Sequence, residues 1–220
     1  MEILKNLLNP QFYIENGGLW LVVFIIFAET GLFVGFFLPG DSLLFVAGIY
    51  AIDLIENSVA TFGNELVDVT VLALLIAAAA ILGNLLGYWI GYKGGPKLYE
   101  KKDTWFFKKK YLHKAHDFFE EHGKLAIIMA RFLPIVRTFA PIVGGIVKME
   151  KSKFILYSII GGILWSFSLI FAGHYLYKFV RDYWGIDLTR HLEYIIIIIV
   201  AITTAPVIIK FITESKKEAK

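Results

Sequence analysis

The sequence predicts an all-α polytopic membrane protein of one domain, residues 1–220, and three observations lead there. Hydrophobic residues make up 57% of the 220, with a mean hydropathy of +0.65, above the apolar share of soluble domains. Several apolar runs reach the roughly 20 residues that cross a hydrocarbon core of about 30 Å. The charges inside those runs are few and specific: Glu29, Arg131 and Arg137, with Asp41 at the edge of a Pro-Gly break. An ionisable residue at membrane depth marks a functional site by default. Ile195–Val200 and its surroundings offer no polar face for a soluble helix. The absence of cysteine excludes disulfides and thiolate metal sites. With no basic n-region or small-residue cleavage site near Met1, nothing is expected to be removed.

In chain order, residues 1–17 are mixed, and Leu4, Leu7 and Leu8 against Glu2, Lys5 and Asn6 allow either an interfacial helix or a frayed terminus. Gly18 to Leu38 is apolar apart from Glu29, and Pro39-Gly40 closes it. The apolar piece after Asp41, Ser42 to Ile52, rises only about 16 Å as a helix, half a membrane. A half-length helix after such a break predicts a re-entrant hairpin over 18–52, tolerated only where protein or water covers its backbone. Asp41-Ser42 would cap the returning helix, which is also the plain reading of Asp41. Residues 51–68 read as an acidic loop with Asp53, Glu56, Glu65 and Asp68 and no Lys or Arg.

A spanning helix follows over 66–92, with Gly83, Gly87 and Gly91 forming a small-residue face for close helix packing and Asn84 on or near it. Gly94-Gly95-Pro96 should end it. Residues 93–124 form a lysine-rich loop with an amphipathic surface helix, cytoplasmic by the positive-inside rule. Its lysines suit anionic headgroups better than nucleic acid. His113 and His116 have metal-compatible spacing but no supporting carboxylate or cysteine, so a solvated or headgroup-facing role is favoured and no metal is expected. Residues 125–147 carry Arg131, Pro134, Arg137, Thr138 and Pro141 in an apolar run with lysines at both ends. Basic residues at both ends do not suit a single crossing, so a second re-entrant hairpin is predicted, with Pro134 and Pro141 as hairpin breaks like Pro39 and Gly40 in the first. Spanning helices over 154–177 and 194–211 and a basic, cytoplasmic tail complete the chain.

That order, hairpin plus span given twice with opposite openings and one extra span, is an inverted repeat, an architecture whose broken helices meet at a transport site. Phe37-Leu38-Pro39 with Asp41 and Gly48 parallels Phe132-Leu133-Pro134 with Arg137 and Gly144.

These motifs resemble the DedA family, the bacterial branch of the VTT (SNARE-associated) superfamily. The resemblance rests on Glu29, the run from Phe37 to Leu44, Arg131 to Pro134, Arg137-Thr138, Pro141, Gly145 and Met149, extending to Phe154, Gly161 and Trp165. Ile135 departs from the glycine many members have after the proline. The resemblance implies a polytopic inner-membrane transporter that depends on the proton-motive force and serves envelope integrity. Some members are similar to flippases that recycle undecaprenyl phosphate, and others translocate phospholipid. It also implies the functional set: an acidic pair, Glu29 and Asp41, and an arginine pair, Arg131 and Arg137.

Elementary chemistry suits that set. Arginine stays protonated and its planar fork fits phosphate, so Arg131, Arg137 and the adjacent Thr138 are the expected substrate-binding residues. Carboxylates are the complementary choice for carrying protons or pairing with the arginines. On a continuous helix Arg131 and Arg137 would point about 240° apart, so only a break at Pro134 lets both face one cavity. The favoured function is translocation of a lipid phosphate, undecaprenyl phosphate above all, with protons and membrane lipids as partners, no cofactor and no nucleic acid, and a homo-oligomer allowed. The alternatives are a phospholipid flippase or scramblase and a proton-coupled transporter of a small solute or drug. An intramembrane enzyme is disfavoured because no nucleophile–base pair is evident: His174 lies far along its span from Ser166 and Ser168. A purely structural role for the buried pairs stands as the bland alternative.

Overall fold

The computed structural model describes residues 10–32, 40–59, 61–100, 127–128, 131, 134–185 and 187–188. The first hairpin's turn with Pro39, the loop histidines and the last expected span, 194–211, lie outside them. The described residues form helices and no strands: α1 Pro10–Gly31, α2 Gly40–Ile49, α3 Ala51–Ser58, α4 Glu65–Glu100, α5 Pro134–Ile146 and α6 Lys151–Trp184.

Two of these, α4 and α6, are long and apolar enough to cross a membrane, with mean hydropathies of 2.5 and 2.0 over their most apolar windows. They run antiparallel. Glu65 at the start of α4 meets His174 and Lys178 near the end of α6, and Tyr88 stacks on Phe154 at the other end with ring centroids 4.5 Å apart. The distribution of polarity is inside out. Leu82, Trp89 and Leu164 are at least half exposed, while Glu29, Arg131 and Arg137 are buried. Water would reverse that arrangement and lipid accounts for it, so the chain is a membrane protein.

The main apolar core joins α1, α2, α4 and α6 through Leu19, Ile26, Leu43, Leu72, Ile76 and Trp165. A smaller cluster ties α4, α5 and α6 through Tyr88, Ala140 and Phe154. The short helices lie tight against the long ones. A Cβ on Gly87 would meet Pro141, and one on Gly91 or Gly145 would overlap the backbone of the facing helix. The glycine face of α4 is a packing face, as its spacing predicted.

Four local expectations need correction. Residues 51–68 are not all loop: Ala51, Leu54 and Ile55 are buried while Asp53 and Glu56 face out, which winds 51–58 into α3. Helical bonds run on both sides of Tyr50, from the Tyr50 N–H to the Val46 carbonyl (3.1 Å) and from the Leu54 N–H to the Tyr50 carbonyl (2.9 Å). Gly94-Gly95-Pro96 does not end α4, which continues to Glu100 with Gly95 pressed on Ile146. Proline there removes the donor to the Tyr92 carbonyl, yet the helix runs on with Gly95 against Ile146. Pro141 is not a hairpin turn but lies within α5, against Gly87. Asp41 lies inside the first turn of α2 rather than ahead of it in the capping position, and its carboxylate reaches other helices.

Local chemistry shapes several element ends and breaks. Asn64 caps α4, its Oδ1 accepting the Leu66 N–H at 3.0 Å. Asp68 accepts the Phe62 N–H (2.9 Å) and the Thr61 hydroxyl (3.1 Å), which folds the acidic loop onto the helix. Gly18, at φ 57°, breaks α1 into 10–17 and the apolar piece that carries Glu29. Past α5, Lys148 adopts φ 54°, and the Met149 N–H reaches the Gly144 carbonyl (2.9 Å), a Schellman-type stop.

Candidate functional site: a buried arginine–carboxylate cluster

Each polar residue of the cluster comes from a different helix or turn. Glu29 lies in the last turn of α1, Asp41 in the first turn of α2, Arg137 early in α5 and Trp165 in mid-α6. Arg131 precedes α5, in a turn fixed by its N–H to the Ile128 carbonyl at 3.2 Å. Pro134 begins α5, so Arg131 stands outside the helix that carries Arg137. That break frees the two guanidinium groups from the roughly 240° separation a continuous helix would impose.

The guanidinium fork of Arg137 joins the two carboxylates. Its Nη2 donates to Glu29 Oε1 at 2.5 Å and its Nη1 donates to Asp41 Oδ1. The indole Nε1–H of Trp165 donates to the same Asp41 oxygen at 2.8 Å. Both arginines stand over the Trp165 ring, Arg137 at 4.8 Å and Arg131 at 5.3 Å from its centroid. One buried aromatic thus supplies a donor for a carboxylate and a negative π-face for two cations. Helix ends contribute as well. The negative end of α1 lies where Glu29 meets a cation, and the positive end of α2 lies where Asp41 carries its charge.

Fully ionised, Glu29, Asp41, Arg131 and Arg137 sum to zero, which makes their common burial tolerable. The neutrality is unevenly distributed. Arg137 holds both carboxylates, whereas Nε and Nη2 of Arg131, itself 3% exposed, have no hydrogen-bond partner. Leaving buried charged donors unmet is costly, and an anionic acceptor is the group that would offset that cost.

The structure therefore brings Glu29, Asp41 and Arg137 into direct contact and sets Arg131 beside them across Trp165. Thr138, next to Arg137, is buried. Gly40 does more than open α2: a Cβ there would overlap the Glu29 carboxylate. Sequence reasoning assigned no role to Trp165, which entered only as part of a motif. Its signal was an indole in the middle of an apolar span, where the N–H must find an acceptor. Among the described residues no three His, Cys, Asp or Glu side chains group to hold a metal.

A second polar group lies at the acidic end, around a cavity of about 290 Å³. There Glu65 takes Nε2 of His174 (2.8 Å) and Nζ of Lys178 (2.7 Å), while Nδ1 of His174 lies 3.3 Å from the Gly48 carbonyl. This clasp ties α2, α4 and α6 together.

Residues 38–175 match the VTT domain family model. Protein DedA of Escherichia coli (strain K12) is 38% identical over 208 residues, covering 92% of this chain and 87% of that protein. A membrane protein of Mycobacterium leprae is also 38% identical, over 210 residues covering 92% of this chain and 86% of its own length. The inner membrane protein YqjA of Escherichia coli is 32% identical over 179 residues, 79% of this chain and 73% of YqjA. No solved structure matches.

Proposed function

Because the chain belongs to the DedA family of VTT-domain bacterial inner-membrane proteins, we propose that it translocates a lipid phosphate, undecaprenyl phosphate in the first instance, across the cytoplasmic membrane. The observation that carries this reading is the contrast between the two buried arginines. Arg137 is held by two carboxylates, while Arg131 keeps Nε and Nη2 without partners beside it. An arriving phosphate dianion meets Arg131 first and then competes with Glu29 and Asp41 for Arg137. A proton delivered to either carboxylate weakens its hold on Arg137 and releases the guanidinium to the phosphate. The lipid tail stays in hydrocarbon throughout. In this account the protein is a transporter and not an enzyme, with lipid and protons as its partners.

The proposed architecture is an inverted repeat of two re-entrant hairpins, each followed by a span, with a further C-terminal span and a cytoplasmic C-terminus. Packing supports it in one respect. Gly48 of α2 lies against Ile170 of α6, and Gly145 of α5 against Tyr88 of α4. Each short helix thus leans on the spanning helix of the other half. A helix that begins at membrane depth with a charged first turn, Asp41 in α2 and Arg137 in α5, needs such covering to keep its backbone out of lipid.

The test is reconstitution into liposomes with labelled undecaprenyl phosphate and, separately, labelled phospholipid, with and without a pH gradient. Movement of the prenyl phosphate, faster with the gradient, is expected. Movement of neither lipid under any condition would overturn the proposal.

A further inference from the structure

Helical hydroxyls in a membrane usually satisfy themselves on the preceding turn. Three do so here: Thr30 on the Ile26 carbonyl (2.9 Å), Thr70 on that of Leu66 (2.6 Å) and Ser168 on that of Trp165 (2.9 Å). Ser158 and Ser166 do not. Both hydroxyls are fully buried and without a partner, and so is the side-chain carbonyl of Asn84. These orphaned groups are not scattered. Ser158, Gly162 and Ser166 follow at four-residue intervals along one face of α6. At the middle of that face, Nη2 of Arg131 lies 3.6 Å from where a Gly162 Cβ would be, and Ile81 of α4 meets the same point. Asn84, one turn along α4 from Ile81, sits level with Ser158 in the antiparallel pair. The Ile81–Gly162 contact on one side and the Tyr88–Phe154 stack on the other fix that level.

We propose that Ser158, Asn84 and Ser166 with Arg131 form a water-holding oxyanion path in the α4–α6 interface, leading from the lysine-bearing end to the arginine–carboxylate cluster. The donors among them, the Ser158 and Ser166 hydroxyls and Arg131, are what ordered water or a phosphate oxygen satisfies, while Asn84 Oδ1, an acceptor level with Ser158, takes a hydrogen bond from water. The absence of a side chain at Gly162 leaves the guanidinium room beside the helix. The Tyr88–Phe154 stack covers the path at the lysine-bearing end, pinned by the Tyr88 hydroxyl donating to the Met149 carbonyl at 2.5 Å. This path deepens the lipid-phosphate reading and rests on it for its cargo, but hydration of the interface can be measured without any lipid.

The chain lacks cysteine, so single-cysteine variants need no background removal. Ser158→Cys and Ser166→Cys are exposed, in inside-out membrane vesicles, to an anionic sulfonatoethyl and to a cationic trimethylammonioethyl thiosulfonate. Leu164→Cys on the lipid-facing side of α6 is the control, because a charged reagent does not enter hydrocarbon. The expected result is labelling of Ser158→Cys at least tenfold faster than the control, with the anionic reagent ahead of the cationic one. Adding Tyr88→Phe, which removes the pin, should speed it further. Ser158→Cys that reacts no faster than Leu164→Cys, with Tyr88 intact or replaced, would overturn the path. Inert cysteines together with intact prenyl-phosphate movement sink only the path. Rapid labelling with no lipid movement sinks only the lipid-phosphate reading and leaves a hydrated oxyanion route.

Discussion

At the residue scale, Trp165 and Gly40 are the positions where the cluster is most exposed to small changes. Trp165→Phe keeps an aromatic face for the arginines and removes only the donor to Asp41, a hydrogen bond to a charged group worth about 1.5–3 kcal/mol. Trp165→Leu also removes the cation–π contacts, a further ~1–2 kcal/mol in a desolvated site. Thermal unfolding in detergent should rank wild type above Phe and Phe above Leu, and equal loss in both variants would deny the ring any part. Gly40→Ala places a methyl group on the Glu29 carboxylate, overpacking that costs about 1–3 kcal/mol, and should abolish transport by disturbing the Glu29–Arg137 pair. Full transport by Gly40→Ala would show that the carboxylate is not held where the structure has it.

At the element scale, glycines of one helix separate by what faces them. Gly91 of α4 abuts the backbone of Ile142, whereas nothing lies within 4 Å of a Cβ on Gly94. Gly94→Ala should therefore stabilise the protein by roughly 0.8–1 kcal/mol through helix propensity alone. Gly91→Ala should destabilise it by pushing α5 away from α4, and the comparison of unfolding midpoints decides it. The glycine face was legible because its period of four matches helical geometry. The helix boundaries were less so. Gly94-Gly95-Pro96 reads locally as a stop, yet the contact of Gly95 with Ile146 carries α4 on to Glu100, and a contact of that kind has no trace in local sequence. Residues 51–58 were judged by their charges, while Ala51, Leu54 and Ile55 carried the helical periodicity that wound them into α3. Pro141 shows the same limit: a proline that reads as a break is held inside α5 by its fit to Gly87.

At the scale of the whole molecule, the membrane class and the charged set were readable because lipid penalises charge so heavily that each buried exception stands out. What no local pattern showed was the unequal pairing, in which one arginine takes both acids and the other takes neither through Nε or Nη2. That inequality depends on how four separate segments meet around Trp165. On the proposed reading, the unmet donors of Arg131 are what a phosphate would take up, a group that a clamp of helices does not need. The measurement that tests this most directly is prenyl-phosphate movement by the double variant Asp41→Asn with Arg137→Gln, reconstituted beside wild type after a check that both fold. The account predicts a folded protein whose rate falls by roughly tenfold or more, the equivalent of about 1.4 kcal/mol or more of lost interaction. A folded double variant that transports at the wild-type rate would contradict it.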